Sequence, residues 1–184
     1  MLKEKKVTTK QIVFAAMAIA LATVVATVIK LPSLPNGGSV TLFSMLLVTL
    51  VGYWYGPGLG MAAAVGYGIL QFITGPYVVH PVQVLIDYPL AFGALGISGF
   101  FKNYKNGLLK GYLAGVAGRF FFASLSGVIF YTVYVDSFSE NMVAIWASLV
   151  YNMTYIVPEA VMTIVLLMFP SVKTMLRKIK EMAQ

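Results

Sequence analysis

The sequence predicts an all-α membrane protein with six transmembrane helices and both termini in the cytoplasm. Three observations carry that prediction. The chain is 59% hydrophobic and only 10% charged over 184 residues, with a mean hydropathy of +0.85, whereas soluble domains carry about 25% charged residues. Its apolar residues gather into six segments. Its basic residues gather into three clusters that fall on one side of a six-span arrangement.

The segments, in order, are Gln11–Leu31, Ser39–Tyr55, Gly58–Thr74, Pro81–Phe101, Gly107–Val133 and Val143–Pro170. The turn Tyr55-Gly56-Pro57-Gly58 divides the second from the third. A bilayer core of about 30 Å needs roughly 20 helical residues. The second and third segments are therefore short, and are expected to tilt or to lie against thinner protein surface. Residues 1–184 read as one six-helix domain, with no internal repeat, low-complexity tract or interdomain linker. The first apolar run is too long for a signal peptide and carries no cleavage site.

Charge orients the bundle. Lys3, Lys5, Lys6 and Lys10 precede the first segment; Lys102, Lys105 and Lys110 lie between the fourth and fifth; Lys173, Arg177, Lys178 and Lys180 follow the sixth. The connection between the fifth and sixth carries Asp136 and Glu140 and no basic residue. The positive-inside rule puts all three basic clusters in the cytoplasm. The net charge of +7 thus reads as membrane topology and not as a nucleic-acid surface. The absence of cysteine excludes disulfides, thiolate metal sites and cysteine nucleophiles.

Small residues and breakers mark the next features. Ala16/Ala20 and Ala18/Ala22 on the first helix are small residues four apart, which allow another helix to approach closely. They serve either packing within the bundle or docking to a separate membrane subunit. The segments 31–39 and 74–81 are broken by proline and glycine and lie on the outer side. They read as a mobile lid or as plain connectors.

Asp87, Arg119 and Glu159 lie inside apolar segments, and Lys30 ends another. A charge at the centre of a membrane helix costs about 2.5–3.5 kcal/mol on insertion scales, so such residues are expected to face protein or a water-filled cavity. His80, Gln83 and Asp87 fall at i, i+3 and i+7 on one face of the fourth helix, and Asn152, Tyr155 and Glu159 repeat that spacing on the sixth. Ser124, Ser126 and Tyr131 join them from the fifth, where Gly127 permits close approach. Asp87 beside Tyr88 is a natural seat for an organic cation, with tyrosines adding cation–π attraction. Arg119 and Glu159 are read as a structural ion pair, with a substrate role as the alternative. His80 has no second histidine with which to build a metal site, so none is expected.

Nothing in the chain reads as catalytic. There is no phosphate-binding lysine loop, no Ser–His–Asp set and no zinc motif. The expectation is a binding protein that is not an enzyme, holds no cofactor, and depends on partners or an ion gradient for active transport.

Several runs together bring a family into view. They are Pro35-Asn36-Gly37-Gly38-Ser39, Gln71-Phe72-Ile73-Thr74-Gly75-Pro76-Tyr77, His80-Pro81-Val82-Gln83-Val84-Leu85-Ile86-Asp87-Tyr88-Pro89-Leu90-Ala91, Ser126-Gly127-Val128-Ile129-Phe130-Tyr131 and Ser148-Leu149-Val150-Tyr151-Asn152. The chain resembles the ThiT (YuaJ) family, the thiamine-binding S-components of energy-coupling factor transporters. The resemblance implies a six-helix capture subunit in a prokaryotic plasma membrane, with a transmembrane coupling protein and two ATPases as partners; ATP would be used by those partners. It further implies that Asp87 holds the cationic vitamin, that Tyr88, Tyr77 and Tyr131 supply aromatic contacts, and that Asn152 supplies an amide. Two positions depart from the family pattern: Ala123 where some members have histidine, and Gly38 near a tryptophan of the first loop. Thiamine is the expected ligand. A pyrimidine or thiazole precursor, or a scaffold that binds no solute, are the alternatives.

Overall fold

The computed structural model describes residues 7–29, 34, 38–132 and 138–183. Seven helices are present among the described residues: α1 (Thr9–Val28), α2 (Ser44–Tyr55), α3 (Pro57–Thr74), α4 (Pro81–Phe101), α5 (Gly107–Thr132), α6 (Phe138–Met168) and α7 (Pro170–Ala183). Five of them, α1, α3, α4, α5 and α6, are long and apolar enough to cross a membrane. The chain is a multi-pass membrane protein. The second expected segment is shorter than the rest: α2 has 12 residues, a rise of about 18 Å.

Local chemistry sets the helix ends. Thr8 and Gln11 form a reciprocal cap at the start of α1, each side chain bonding the other's backbone N–H. Pro57 and Pro81 open α3 and α4 at a position that needs no N–H donor. His80 caps α4, its Nδ1 accepting the Val82 N–H at 3.1 Å.

α2 is the centre of the bundle. It packs against α1, α3, α5 and the C-terminal half of α4, and Met45, Val48, Thr49 and Val51 are fully buried. Helix α6 packs chiefly on α5.

α4 is irregular. Residues Ile86–Leu90 form a π-turn around Pro89, and the Ala91 N–H reaches back five residues to the Ile86 carbonyl. Proline has no N–H to give, so the helix widens to keep its carbonyls bonded. From Ala94 to Phe101 it tightens into a 3-10 helix. There Gly96 lies against the backbone of Gly60 and Met61, where any Cβ would collide. Ser98 Oγ donates to the Thr49 carbonyl at 2.8 Å, fixing α4 to α2.

One expectation is corrected by the packing. Ala16/Ala20 and Ala18/Ala22 do not make one docking stripe. Ala18 and Ala22 are buried with Ala15 and Ala26 inside this bundle, while Ala16 and Ala20 are exposed. Residues two apart on an α-helix stand about 200° apart, so the pairs face opposite ways. The basic tail, for which no element was expected, forms helix α7. Along α7, Leu176 and Ala183 are buried, and Val172 and Ile179 pack on the core. Lys180 Nζ lies 4.4 Å over the ring of Tyr53, and the Tyr55 hydroxyl donates to the Ala183 carbonyl at 3.2 Å.

Candidate functional site

A cavity of about 820 Å³ opens between α3, α4, α5 and α6, closed at one side by α1 and residues 38–44. Its size suits a small organic ligand. Asp87, Tyr88, Tyr77, Gln83, Asn152 and Tyr155, six of the eight residues expected to bind, line it together.

The wall on α4 is built around Gln83. This side chain is buried. Its Oε1 accepts the Val79 N–H at 3.1 Å and its Nε2 donates to the Tyr77 carbonyl at 3.2 Å. The same Nε2 donates to Asp87 Oδ2. Tyr88 holds the loop from below: its hydroxyl accepts the Tyr77 N–H at 2.9 Å and donates to the Gly75 carbonyl at 3.3 Å. The connection 75–80 is thus fastened to α4 by two side chains of α4 itself. The hydrogen-bond partner of the Asp87 carboxylate among the described residues is an amide, not a cation. Ser126 Oγ stands nearby on α5 without completing a hydrogen bond of good geometry.

The opposite wall belongs to α6. Asn152 is buried; its Nδ2 donates to the Ser148 carbonyl at 2.9 Å and its Oδ1 accepts from the Tyr155 hydroxyl. Tyr151 and Tyr155 meet edge to face at 5.7 Å. The Gly38 N–H donates to the Tyr151 hydroxyl at 2.8 Å. A Cβ at residue 38 would stand 2.7 Å from that hydroxyl and 2.8 Å from the Tyr155 ring, so a side chain there would force the tyrosines to shift. Ala123 also lines the cavity. Both positions expected to differ from the resembled family therefore lie on the cavity wall.

Aromatic rings complete the enclosure. Tyr67 meets Phe92 edge to face at 5.2 Å, and Phe72 meets Tyr88 at the same distance. Phe130 lines the cavity from α5. Rings around a carboxylate make a surface that attracts an organic cation.

Arg119 and Glu159 do not form the expected ion pair. The Glu159 carboxylate is buried and already has three donors: Thr41 Oγ1 at 2.7 Å, Ser44 Oγ at 2.9 Å and the Met45 N–H at 2.9 Å. The first turn of α2 supplies two of these, so the positive end of a helix takes the place of a cation. Arg119 instead lies over the Phe92 ring, 4.3 Å from its centroid, and lines the cavity.

One expected residue is placed differently, and another has its side chain outside the described residues. His80 is exposed; it caps α4 and its ring stacks on Phe130 at 5.3 Å, outside the cavity wall. Tyr131 is helical, and its side chain lies outside the described residues, as do most of the first outer connection and Asp136. Trp146 faces away from the cavity and is exposed. The spacing argument did not single out Gln71, Phe92, Phe130 or Tyr151. Gln71 carried a usable signal, as a lone carboxamide within an apolar span.

Comparison with known proteins identifies the fold and the family. A solved structure of ThiT from Listeria monocytogenes superposes with a TM-score of 0.60 at 21% identity, covering 88% of this chain and 96% of that one, which shows a shared fold. The thiamine transporter ThiT of Bacillus subtilis (strain 168) is 34% identical over 146 residues, 73% of this chain and 76% of that protein. The profile of the thiamine transporter proteins (Thia_YuaJ) matches residues 12–179, and the chain belongs to that family.

Proposed function

We propose that this chain is the substrate-capture subunit of an energy-coupling factor transporter and that its ligand is thiamine. The observation that carries the reading is the Asp87 carboxylate, set in an aromatic cavity and held by an amide rather than by a cation. A thiazolium supplies the missing positive charge, and Tyr88 and Tyr77 flank it. Family membership supports the vitamin. In this reading α2 completes six spans, both termini are cytoplasmic, and the cavity opens to the outside of a prokaryotic plasma membrane. The chain carries no chemistry of its own. A transmembrane coupling subunit and two ATPases energise release to the cytoplasm.

The test is isothermal titration of thiamine into the purified protein. Calorimetry suits this chain because neither Trp54 nor Trp146 lines the cavity. Saturable one-to-one binding that Asp87→Asn weakens is the expected result. A wild-type protein that gives no binding heat with thiamine, but binds a neutral pyrimidine or thiazole precursor, transfers the assignment to that compound.

A further inference from the structure

Three carboxamides line the cavity: Gln71, Gln83 and Asn152. Two already hydrogen-bond through both their amide nitrogen and their amide oxygen to groups of the protein. Gln83 bonds Val79, Tyr77 and Asp87, and Asn152 bonds Ser148 and Tyr155. Gln71 is different. Its Nε2 is buried and has no hydrogen-bond partner. An amide nitrogen buried without a partner is costly, and here it sits in an apolar helix beside a cavity. Gln71 is also placed level with the Asp87 turn. The ring of Phe72, the next residue, packs on Tyr88, the residue next to Asp87.

A carboxamide presents a donor beside an acceptor. A ring that carries an exocyclic amine next to a ring nitrogen presents the complementary edge, the pairing by which Gln and Asn read adenine. Thiamine joins such an aminopyrimidine to its thiazolium. Resting on the thiamine reading, we infer that Gln71 reads the amine and ring nitrogen of the aminopyrimidine while Asp87 takes the cationic ring. Gln71 then sets selectivity. The cavity accepts thiazolium cations in general through Asp87 and prefers those carrying the aminopyrimidine edge through Gln71. Gln83 and Asn152 act as positioning residues, because their amides hold Tyr77, Asp87 and Tyr155 in place.

The test is a chemical double-mutant cycle by titration calorimetry on the purified chain. The ligands are thiamine and an N-benzyl thiazolium in which phenyl replaces the aminopyrimidine. The proteins are wild type, Gln71→Met and the nearly isosteric Gln71→Glu. Each variant is expected to lose at least tenfold in thiamine affinity and less than twofold for the benzyl compound. Equal losses for both ligands in both variants make Gln71 a packing residue and overturn the assignment. Thiamine binding unchanged in the variants overturns it as well, while leaving the thiamine reading in place. Wild-type protein that binds neither compound overturns the thiamine reading, and this assignment falls with it.

Discussion

Glu159 accepts the backbone N–H of Met45 at 2.9 Å across 114 residues of sequence. A carboxylate on α6 thereby caps α2, a helix whose own N-cap residue, Phe43, has no capping side chain. The short central helix begins inside the bundle, where water cannot satisfy its first N–H groups, and Glu159 takes over that role with help from Thr41 and Ser44.

Glu159→Ala should therefore destabilise the fold by about 1–3 kcal/mol or more, the cost of leaving buried donors without their acceptor. Glu159→Gln keeps the shape and should cost less. Thermal unfolding in detergent checks both. A wild-type midpoint for Glu159→Ala would mean the cap contributes nothing to stability.

Asp87→Asn retains an acceptor for Gln83 but removes the charge. Thiamine affinity should drop by about 2–5 kcal/mol, as for a desolvated charge pair, with little change in the unfolding midpoint. Titration calorimetry beside a melting curve separates the two effects. Undiminished binding by folded Asp87→Asn protein takes Asp87 out of the site.

Much of this site was legible in sequence, for a definite reason. Asp87, Gln83, Asn152 and Tyr155 interrupt apolar runs, and the cost of polar groups in a bilayer forces them inward. Gln71, Phe92, Phe130 and Tyr151 were harder to place. In a membrane helix both faces are apolar, so hydropathy does not tell which aromatic faces the cavity and which faces lipid. The same limit explains the fold. Spans and Pro–Gly turns followed from composition. The helical state of α7 was missed because a basic cluster read as a topology signal. Its Val172, Leu176, Ile179, Ala183 spacing was the available clue. The Arg119–Glu159 pairing failed because helix spacing fixes a face, not a partner, and a nearby helix N-terminus competed for the carboxylate.

Gly38 offers a third test. Gly38→Ala brings a methyl within 2.9 Å of both Tyr151 and Tyr155, so the tyrosines must move. Tyr151→Phe removes the acceptor for the Gly38 N–H, a bond worth roughly 0.5–1.5 kcal/mol. Thiamine should leave faster from both variants, and the alanine should have the larger effect. Stopped-flow release measures this. Identical off-rates in Gly38→Ala and wild type would dissociate this contact from ligand retention.

The two alanine pairs on α1 should respond in opposite ways. Ala20→Trp adds bulk to an exposed face. It should abolish thiamine uptake by cells holding the coupling partners while leaving binding by the isolated chain intact. Ala22→Trp forces a ring into a fully buried position, and overpacking costs about 1–3 kcal/mol or more, so binding and stability should suffer together. Uptake assays paired with calorimetry resolve the pair. Normal uptake by Ala20→Trp would assign that face to lipid.

The π-turn at 86–90 has a consequence for how this protein can diversify. A π-turn accommodates about one residue more than an α-helical turn, so it breaks the phase between the two halves of α4. The half carrying Gln83 and Asp87 lines the cavity, and the half carrying Gly96 and Ser98 knits the helix to α2 and α3. Deleting a single residue there would swing one half by about 100° relative to the other. Substitutions, by contrast, can accumulate on either side independently. The cavity-lining half of α4 can change its side chains while the half packed on α2 and α3 keeps its geometry.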